Sequence, residues 1–298
     1  MKYIFIVNKV AGKGKYKKIV PKIENTCIRK KVEYEIRYIT DELDASSIAS
    51  EYKDEENIIY IVGGDGTLTK ALSGIVGTKN KLGIIPSGSG NDTYKAVSML
   101  PQLETKIDLG KINGTYFINV ACTGIDAEVG NNVEKIKKTI IPPSKIYTAS
   151  ILYTFLNFKF RKVKIKTDIK TIEDRYTILS ICNGSYYGGG YLISPKSELT
   201  DGVLEIYFAE KMFKLSMIPL ILKLKKGKHV GKRKVHKFRS KHIEIEFEEE
   251  IVFNVDGEKL KDKKFVIDVI KNAITIVNDK EFVNEILSEK EEKIEINV

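Results

Sequence analysis

The sequence contains few of the residues that build metal sites and disulfides. Its three cysteines, Cys27, Cys122 and Cys182, are odd in number and lack the short spacings of zinc ligands. We interpret them as reduced thiols of a cytosolic protein. All three histidines lie between residues 229 and 242, so histidine-based catalytic triads and HExxH zinc motifs are not expected elsewhere in the chain.

Long apolar runs are also absent. The run after Lys2 extends only from Tyr3 to Val7, which is too short for the apolar part of a signal peptide, so none is expected. No apolar stretch reaches the roughly 18–20 residues of a membrane-spanning helix. With 42% hydrophobic and 30% charged residues, the composition is that of an ordinary soluble globular protein. A length of 298 residues suggests two domains.

Positive charge is concentrated in one segment. The formal net charge is +10, and the segment Lys223–His242 holds ten Lys and Arg residues and no acid, so the remainder is balanced. One interpretation is docking onto an anionic membrane surface, which gives a cytoplasmic protein peripherally associated with the inner face of the membrane. The alternative is a solvated lysine-rich face. Nucleic acid is not an expected partner, because only Phe238 supplies an aromatic within the run and no nucleic-acid-binding motif occurs.

The N-terminal third alternates apolar runs with helical patterns, which is typical of a parallel α/β sheet. Continuous apolar runs predict strands that are covered on both faces. Tyr3–Val7, Ile58–Val62 and Leu82–Ile85 are predicted as strands of this kind, and Val32–Ile39 is predicted as a strand by its alternation. The predicted helices are Lys15–Lys30 and Asp41–Lys53, the latter capped by Thr40 or Asp41.

After about Gly110 the pattern changes to short strands separated by turn signals, such as Asn113-Gly114 and Asp256-Gly257. This favours a second, mostly antiparallel domain, a β-sandwich with helices near Tyr147–Phe158 and Lys214–Lys226. A short helix is expected at Glu281–Glu292. The strand candidates are Tyr116–Ala121, Val163–Thr167, Tyr176–Cys182, Val203–Phe208, Ile243–Phe247, Ile251–Val255, Phe265–Val269 and Ala273–Val277.

Glycine-rich loops follow three of the predicted N-terminal strands. Ile58–Val62 leads into Gly63–Thr67 and a helix expected to begin near Leu68. Glycines let the backbone approach a phosphate, and a helix N-terminus offers free N–H groups. The loops Pro86–Asp92 and Asn8–Lys15 follow other strands, and the latter adds lysines. The alternative is an ordinary capped strand–turn–helix. Neither a Walker A motif nor GxGxxG occurs, which disfavours P-loop and Rossmann dehydrogenase sites.

These motifs occur in a fixed order, and with them the chain resembles the bacterial diacylglycerol kinase family. That superfamily also contains sphingosine kinases and, more distantly, NAD kinases and 6-phosphofructokinases. The resemblance covers nearly the whole chain. The matching residues are Asn8, Gly12, Gly14, Gly63–Leu68, Gly88–Asp92, Asp108–Gly110, Asn119, Gly188–Gly190, Pro195, Leu199, Asp201-Gly202 and Val255–Glu258.

The resemblance implies an N-terminal Rossmann-like α/β domain and a C-terminal antiparallel β-sandwich domain, with the active site in the cleft between them. It also implies that the C-terminal segment returns to the first domain. We therefore expect residues 1–110 and 278–298 to form the nucleotide-binding domain, and residues 111–277 to form the lipid-substrate domain.

The activity that the resemblance implies is transfer of the γ-phosphoryl group of ATP to a membrane lipid hydroxyl, most simply that of diacylglycerol, giving phosphatidic acid. Mg²⁺ would accompany the nucleotide, held largely through water by Asp65, Asp92 and Asp108, since Mg²⁺ keeps several of its waters. The residues expected to bind the nucleotide are Asn8, Gly12, Gly14, Thr40, Gly63, Gly64, Asp65, Gly66, Thr67, Ser87, Gly88, Ser89, Asn91, Asp92 and Asp108.

The same resemblance assigns Asp256 as the general base that accepts the proton of the lipid hydroxyl. Glu258, two residues on, could raise the pKa of Asp256 by like-charge repulsion. Taken alone, Asp256-Gly257 favours a hairpin turn, and only the family resemblance reverses this preference. A second, structural Mg²⁺ site is implied at Asp201, with the backbone carbonyls of Glu198 and Val203, although a solvated turn is the alternative there.

One departure from the family pattern lies beside the first glycine loop. Family members commonly have Asn-Glu after Gly-Thr-Leu, whereas this chain has Thr69-Lys70, which argues against a metal contact from that position. Other acceptors stay open: a sphingoid base, another lipid alcohol, or NAD, the last weakened by the missing Asn-Glu motif. A non-catalytic nucleotide- and membrane-binding module is a further alternative, and a homodimer is left open.

Overall fold

The computed structural model describes residues 1–136, 139 and 146–288. Up to residue 112, strands and helices alternate. In order these elements are β1 (Tyr3–Val7), a 3-10 turn (Ala11–Lys13), α1 (Tyr16–Lys30), β2 (Tyr34–Tyr38), α2 (Ala45–Ser50), β3 (Ile58–Gly63), α3 (Asp65–Ile75), β4 (Lys81–Pro86), α4 (Asp92–Ser98) and β5 (Glu104–Ile112).

Strands dominate the rest of the chain. They are β6 (Thr115–Phe117), β7 (Val120–Gly124), β8 (Lys162–Thr167), β9 (Thr171–Cys182), β10 (Tyr186–Tyr187), β11 (Tyr191–Leu192), β12 (Leu204–Glu210), β13 (Val235–Ser240), β14 (His242–Val255) and β15 (Glu258–Val277). The helices here are α5 (Ile125–Ile136), α6 (Ile146–Asn157), α7 (Lys214–Leu224) and α8 (Lys280–Leu287).

The first strands form a parallel sheet in the order β4-β3-β1-β2. Every residue of β3 is buried, because helices cover both faces. On one face Tyr60 stacks on Phe5 with ring centroids 5.2 Å apart, and Phe282 of α8 packs against both rings. On the other face Ile59 and Ile61 share a core with α2 and α3.

The remaining strands pair antiparallel and enclose a second core around β9, β12, β14 and β15. The predicted architecture, an N-terminal α/β domain followed by a C-terminal antiparallel β-sandwich, is therefore confirmed.

The long strand β15 belongs to both cores. Its first part pairs with β14, and its last three residues pair in parallel with β4, with Ile276 opposite Leu82. One continuous sheet thus links the two parts of the chain, and α8 follows β15 onto the parallel sheet. The predicted division at residue 110 and the return of 278–298 stay predictions, and residues 289–298 lie outside the described residues.

Several predicted boundaries were wrong. The strand predicted at Tyr116–Ala121 is interrupted at Ile118-Asn119, because the N–H groups of these residues bond to the side chain of Asp256. The predicted strands Ile243–Phe247 and Ile251–Val255 form one strand, β14, and Phe265–Val269 and Ala273–Val277 are parts of one strand, β15. Both long strands contain a shift in pairing register. Strands β5, β10, β11 and β13 and helix α5 were not predicted.

Helix starts also differ from the expectation. α2 begins at Ala45 and is capped by Asp44, whose carboxylate accepts the N–H of Ser47 at 2.8 Å, rather than by Thr40 or Asp41. α3 begins at Asp65, three residues before Leu68. None of the described helices is both long and apolar enough to cross a membrane.

Candidate active site

A cleft of about 790 Å³ lies between the carboxyl ends of the parallel strands and the β-sandwich. This is where open α/β sheets bind ligands. It brings together twelve of the predicted site residues: Asn8, Gly12, Thr40, Gly64, Asp65, Gly66, Thr67, Gly88, Ser89, Asp92, Asp256 and Glu258.

The N-terminus of α3 opens into this cleft. Its N-cap is Gly64, so no side chain satisfies the N–H groups of the first turn. The Thr67 hydroxyl oxygen accepts a hydrogen bond from Asn8 Nδ2 at 2.8 Å, which leaves its own proton for another acceptor. The arrangement offers N–H and O–H donors to an anion at a helix N-terminus.

The two glycine loops touch each other. A Cβ atom added to Gly88 would lie 2.6 Å from the Cα atom of Gly64, so a side chain would push the loops apart. The third loop is equally close, because a Cβ on Gly12, whose φ is +61°, would lie 1.9 Å from the carbonyl oxygen of Ser87. Glycine is therefore required where the three loops meet.

The carboxylate of Asp65 caps the next helix rather than its own. Oδ2 accepts the N–H of Asp92 at 3.1 Å and Oδ1 accepts the N–H of Thr93 at 2.9 Å, both in the first turn of α4. Asn91, the N-cap of α4, has left-handed backbone angles and makes no side-chain cap. One acidic side chain therefore joins the two glycine loops.

Asp92 is buried and connects the two parts of the chain. Its Oδ2 atom accepts the N–H of Gly189 at 2.6 Å, and Oδ1 lies 3.0 Å from Lys95 Nζ. Gly188, Gly189 and Gly190 all have positive φ, and the first two line the cleft. These glycines are among the residues that match the family pattern, but no role was predicted for them.

Asp256 lies in the two-residue turn between β14 and β15, so the hairpin interpretation also holds. Its Oδ2 atom accepts the N–H groups of Ile118 at 2.7 Å and Asn119 at 2.9 Å, and Oδ1 accepts that of Val120 at 2.8 Å. Burial raises the pKa of Asp256 to about 7, against the opposing effect of these three hydrogen bonds. The negative charge of Asp65 adds to the increase in pKa.

Glu258 has a different neighbour from the one expected. It lies across Gly66, and its Oε1 atom is 3.8 Å from Lys70 Nζ. The carboxylate that helps to raise the pKa of Asp256 is thus Asp65, whereas Glu258 is balanced by a lysine. Lys70, the residue that departs from the family pattern, thus forms an ion pair with Glu258 at the edge of the cleft.

Five predicted nucleotide-binding residues do not line the cleft: Gly14, Gly63, Ser87, Asn91 and Asp108. Asp108 is buried, and its carboxylate accepts the N–H groups of Gly202 at 2.7 Å and Asn272 at 2.8 Å. It fastens β5 to the loop before β12 and to the irregular part of β15.

The predicted second Mg²⁺ site holds an arginine. Asp201 Oδ2 lies 3.7 Å from an Arg239 nitrogen, and Oδ1 accepts the N–H of Val203 at 3.2 Å. Within the part of the chain that the structure describes, no group of three or more His, Cys, Asp or Glu side chains could hold a metal. A Mg²⁺ ion held by Asp201 and the carbonyls of Glu198 and Val203 stays a prediction.

Sequence reasoning missed the apolar end of the cleft. There the walls come from β7, β11, α5 and α7, and they include Val120, Cys122, Ala127, Val129, Tyr191, Ile221 and Leu224. These residues are scattered over about a hundred positions, and each fits an ordinary strand or helix pattern. Only their positions around one cavity distinguish them.

Comparison with known proteins agrees with the geometry. Residues 2–116 match the family model described as diacylglycerol kinase catalytic domain, and residues 119–278 match the YegS C-terminal NAD kinase beta sandwich-like domain. A diacylglycerol kinase of Staphylococcus haemolyticus is 27% identical over 301 residues, covering 96% of this chain and 91% of that protein.

Two further comparisons point the same way. A probable lipid kinase YegS-like protein of Shewanella frigidimarina is 28% identical over 241 residues, which is 75% of this chain and 77% of that protein. The crystal structure of a putative diacylglycerol kinase from Bacillus anthracis superposes with a TM-score of 0.75 at 24% identity, covering 94% and 96% of the two chains. The YegS C-terminal model alone covers more than half of the chain, and with the diacylglycerol kinase catalytic domain model it spans nearly all of the described residues. The chain therefore belongs to the YegS-like and diacylglycerol kinase-like family of lipid kinases.

Proposed function

We propose that the protein transfers the γ-phosphoryl group of ATP to the free hydroxyl of diacylglycerol, giving phosphatidic acid and ADP. The observation that carries this proposal is the position of Asp256. Its carboxyl group, with a pKa near 7, lies in one cleft with the glycine loops and an apolar wall. Curated relatives named diacylglycerol kinase support the same acceptor.

ATP would bind with its phosphates at the meeting point of the three loops. The donors there are the first-turn N–H groups of α3 and the hydroxyl of Thr67. They would stabilise the negative charge on the transferring phosphoryl group, which is the main contribution of proteins to this reaction.

Mg²⁺ fits this end of the cleft only as a partner of the nucleotide. The carboxylates of Asp65 and Asp92 already accept backbone N–H groups, and each oxygen retains a further lone pair. They would hold the ion largely through water, as Mg²⁺ prefers. When bound, the ion would neutralise phosphate charge.

Asp256 would act as the general base. Its Oδ1 atom accepts one N–H group, against two at Oδ2, so Oδ1 has a lone pair for the substrate hydroxyl. As the hydroxyl oxygen forms its bond to the γ-phosphorus, its proton passes to Asp256, and the bond from phosphorus to the β–γ bridging oxygen breaks. A pKa near 7 suits proton acceptance at neutral pH.

The apolar wall supports a lipid acceptor over NAD. Ile221 and Leu224 from α7 and Val120 from β7 would contact hydrocarbon, whereas a dinucleotide requires polar partners. Glycerol lipids and sphingoid bases share this property, so the acceptor is assigned to diacylglycerol by the relatives alone.

The basic segment Lys223–His242 would bind an anionic membrane and so bring the protein to its lipid substrate. Lys237 and Arg239 are engaged by the buried carboxylate of Glu205, at 2.7 Å and 2.8 Å. The lysines and arginine between residues 223 and 234 are exposed, and no carboxylate lies within 4 Å of them among the described residues. That part of the segment would make the contact.

Incubation with labelled ATP, Mg²⁺ and mixed micelles tests the proposal. The micelles contain diacylglycerol, sphingosine or another lipid alcohol, and NAD is tested in buffer alone. We expect labelled phosphatidic acid. Label in a sphingoid phosphate or in NADP, with none in phosphatidic acid, would show that the acceptor is a sphingoid base or NAD instead of diacylglycerol. The absence of any labelled product would overturn the proposal.

A further inference from the structure

Helix α7 has two apolar faces, and only one of them is packed. Met217, Leu220 and Leu224 are buried against the sandwich. Leu215, Ile218 and Leu222 lie on the opposite side at spacings of three and four residues, with exposed fractions of 63%, 48% and 66%. A stripe of this kind on a surface helix indicates a partner surface.

The stripe continues beyond the helix. Phe213, just before α7, is 72% exposed, and Leu156 of α6 is 62% exposed. Lys214 Nζ donates to the carbonyl oxygen of Leu156, so the ends of α6 and α7 are joined. The apolar surface therefore has contributions from both helices.

Charge identifies the chemistry of the partner. The stretch from Lys211 to Lys241 contains twelve Lys and Arg residues and no Asp or Glu, and the stripe lies within it. Apolar side chains bordered by cations match a bilayer with anionic headgroups, where basic residues meet phosphate and apolar ones enter the acyl layer. Another protein would need a surface that is both acidic and apolar.

The packed face of α7 connects this surface to the cleft. Ile221 and Leu224 line the apolar end of the cleft, and Leu222 between them points outward. One helix therefore separates the cavity from the exposed stripe.

We propose that Phe213, Leu215, Ile218 and Leu222 insert into the acyl layer of an anionic bilayer and bring the apolar end of the cleft against the membrane. The proposal rests on lipid being the acceptor, and it adds the element that penetrates the bilayer. The basic residues supply long-range attraction, and the stripe supplies binding that salt does not screen.

The absence of tryptophan from the chain provides a direct probe. The Phe213→Trp variant is mixed with vesicles of phosphatidylcholine and phosphatidylglycerol at 4:1 and excited at a wavelength that spares tyrosine. We expect a blue shift and quenching by brominated acyl chains. The Ile169→Trp variant, at a 75% exposed position on the β8–β9 turn, is expected to show neither. An unshifted Phe213→Trp spectrum with vesicle-bound protein would overturn insertion.

Vesicle sedimentation gives a second, independent measurement. In 0.5 M NaCl the Leu215→Ser/Leu222→Ser variant should bind at least about tenfold more weakly than the wild type, because each lost methylene weakens transfer into lipid. The Ile169→Ser/Leu103→Ser variant, with exposed apolar residues changed elsewhere, should bind like the wild type. Equal binding by the wild type and both variants would overturn the proposal. So would a wild type that is dimeric in solution when only the Leu215→Ser/Leu222→Ser variant is monomeric.

Activity separates this inference from the proposed function. With a dispersed short-chain diacylglycerol, the α7 variant should match the wild type, whereas with vesicles it should be slower. Wild type that inserts into vesicles but phosphorylates no lipid would overturn the proposed function and leave insertion standing.

Discussion

Asp65 Oδ1 accepts the backbone N–H of Thr93 at 2.9 Å, although the two residues lie in the first turns of different helices. Ordinary N-caps are local: Asp44 caps α2 and Asp279 caps α8 within the same turn. The Asp65 contact instead fixes the first glycine loop to the second. The spacing between the two phosphate-facing loops therefore depends on one side chain.

The Asp65→Ala variant should lose both stability and activity. Loss of a capping carboxylate costs about 0.5–2 kcal/mol in the free energy of unfolding. Asp279→Ala removes an ordinary cap outside the cleft and should cost a similar amount of stability. Denaturant unfolding and lipid phosphorylation are measured for both. Only Asp65→Ala should raise the KM for ATP; equal kinetics in the two variants would show that the link between the loops is not needed for nucleotide binding.

The Asp256→Asn variant should lower kcat by about 10²–10⁴-fold, the usual contribution of a general base. The amide cannot accept the proton, and its NH₂ group cannot accept the backbone N–H groups that the carboxylate accepts. Nucleotide affinity, measured by calorimetry, should change little. Asp262→Asn, at an exposed position on β15, is the matched control. Transfer at the wild-type rate by Asp256→Asn would exclude the base assignment.

The pH dependence follows from the same residue. Since burial raises the pKa of Asp256 to about 7 from 3.8 in the protein without substrates, kcat/KM should rise about tenfold per pH unit below pH 7 and level off above it. Rates between pH 5.5 and 8.5, at ATP and lipid concentrations well below KM, measure this. A profile that is flat down to pH 5 would contradict the raised pKa.

The pH dependence of stability has the opposite sign to that of the rate. Between pH 4 and pH 7 the folded protein keeps a proton on Asp256 that the unfolded chain has released, so the contribution of this group falls as the pH rises through that interval. Above pH 7 the loss is complete. Urea unfolding of the wild type and of Asp256→Asn, compared at pH 5 and pH 7.5, measures the contribution of Asp256 to the free energy of unfolding.

The Gly88→Ala variant should weaken nucleotide binding. Its Cβ would lie 2.6 Å from Gly64 Cα, and backbone atoms in both loops would have to move. Gly83→Ala, whose Cβ would meet Tyr60 at 2.3 Å in the core, creates a clash of similar severity outside the cleft. Both should melt at lower temperature, but only Gly88→Ala should show a higher Kd for ATP. A lowered affinity in both would attribute the effect to general destabilisation.

Reversal of charge at Lys226→Glu/Lys232→Glu should weaken binding to anionic vesicles, and the difference from the wild type should shrink as salt is added. Lys53→Glu/Lys79→Glu changes the net charge equally on exposed residues of the N-terminal part. This control should bind nearly as well as the wild type. Equal weakening in both double variants would show that net charge, and not the segment, determines binding.

Local pattern was sufficient for most elements. β1, β3 and β4 were predicted because short apolar runs rich in Ile and Val favour strands that are covered on both faces. Five elements were not predicted: β5, β10, β11, β13 and α5. β13 was missed because only Val235 and Phe238 of its six residues are apolar, and a strand at the edge of the sheet needs few apolar residues. The break between β6 and β7 could not be foreseen, since its cause lies about 137 residues further along the chain.

The candidate site divides in the same way. Glycine loops after buried strands are local signals, and the sequence by itself determined the fold class, the loops and the turn that holds Asp256. The tertiary structure decided what depends on distance between remote residues: Asp65 capping α4, Lys70 pairing with Glu258, Asp108 outside the cleft, and a cavity wall drawn from four elements. Burial and charge act through space, so the pKa of Asp256 and the unpacked face of α7 follow only from the folded chain.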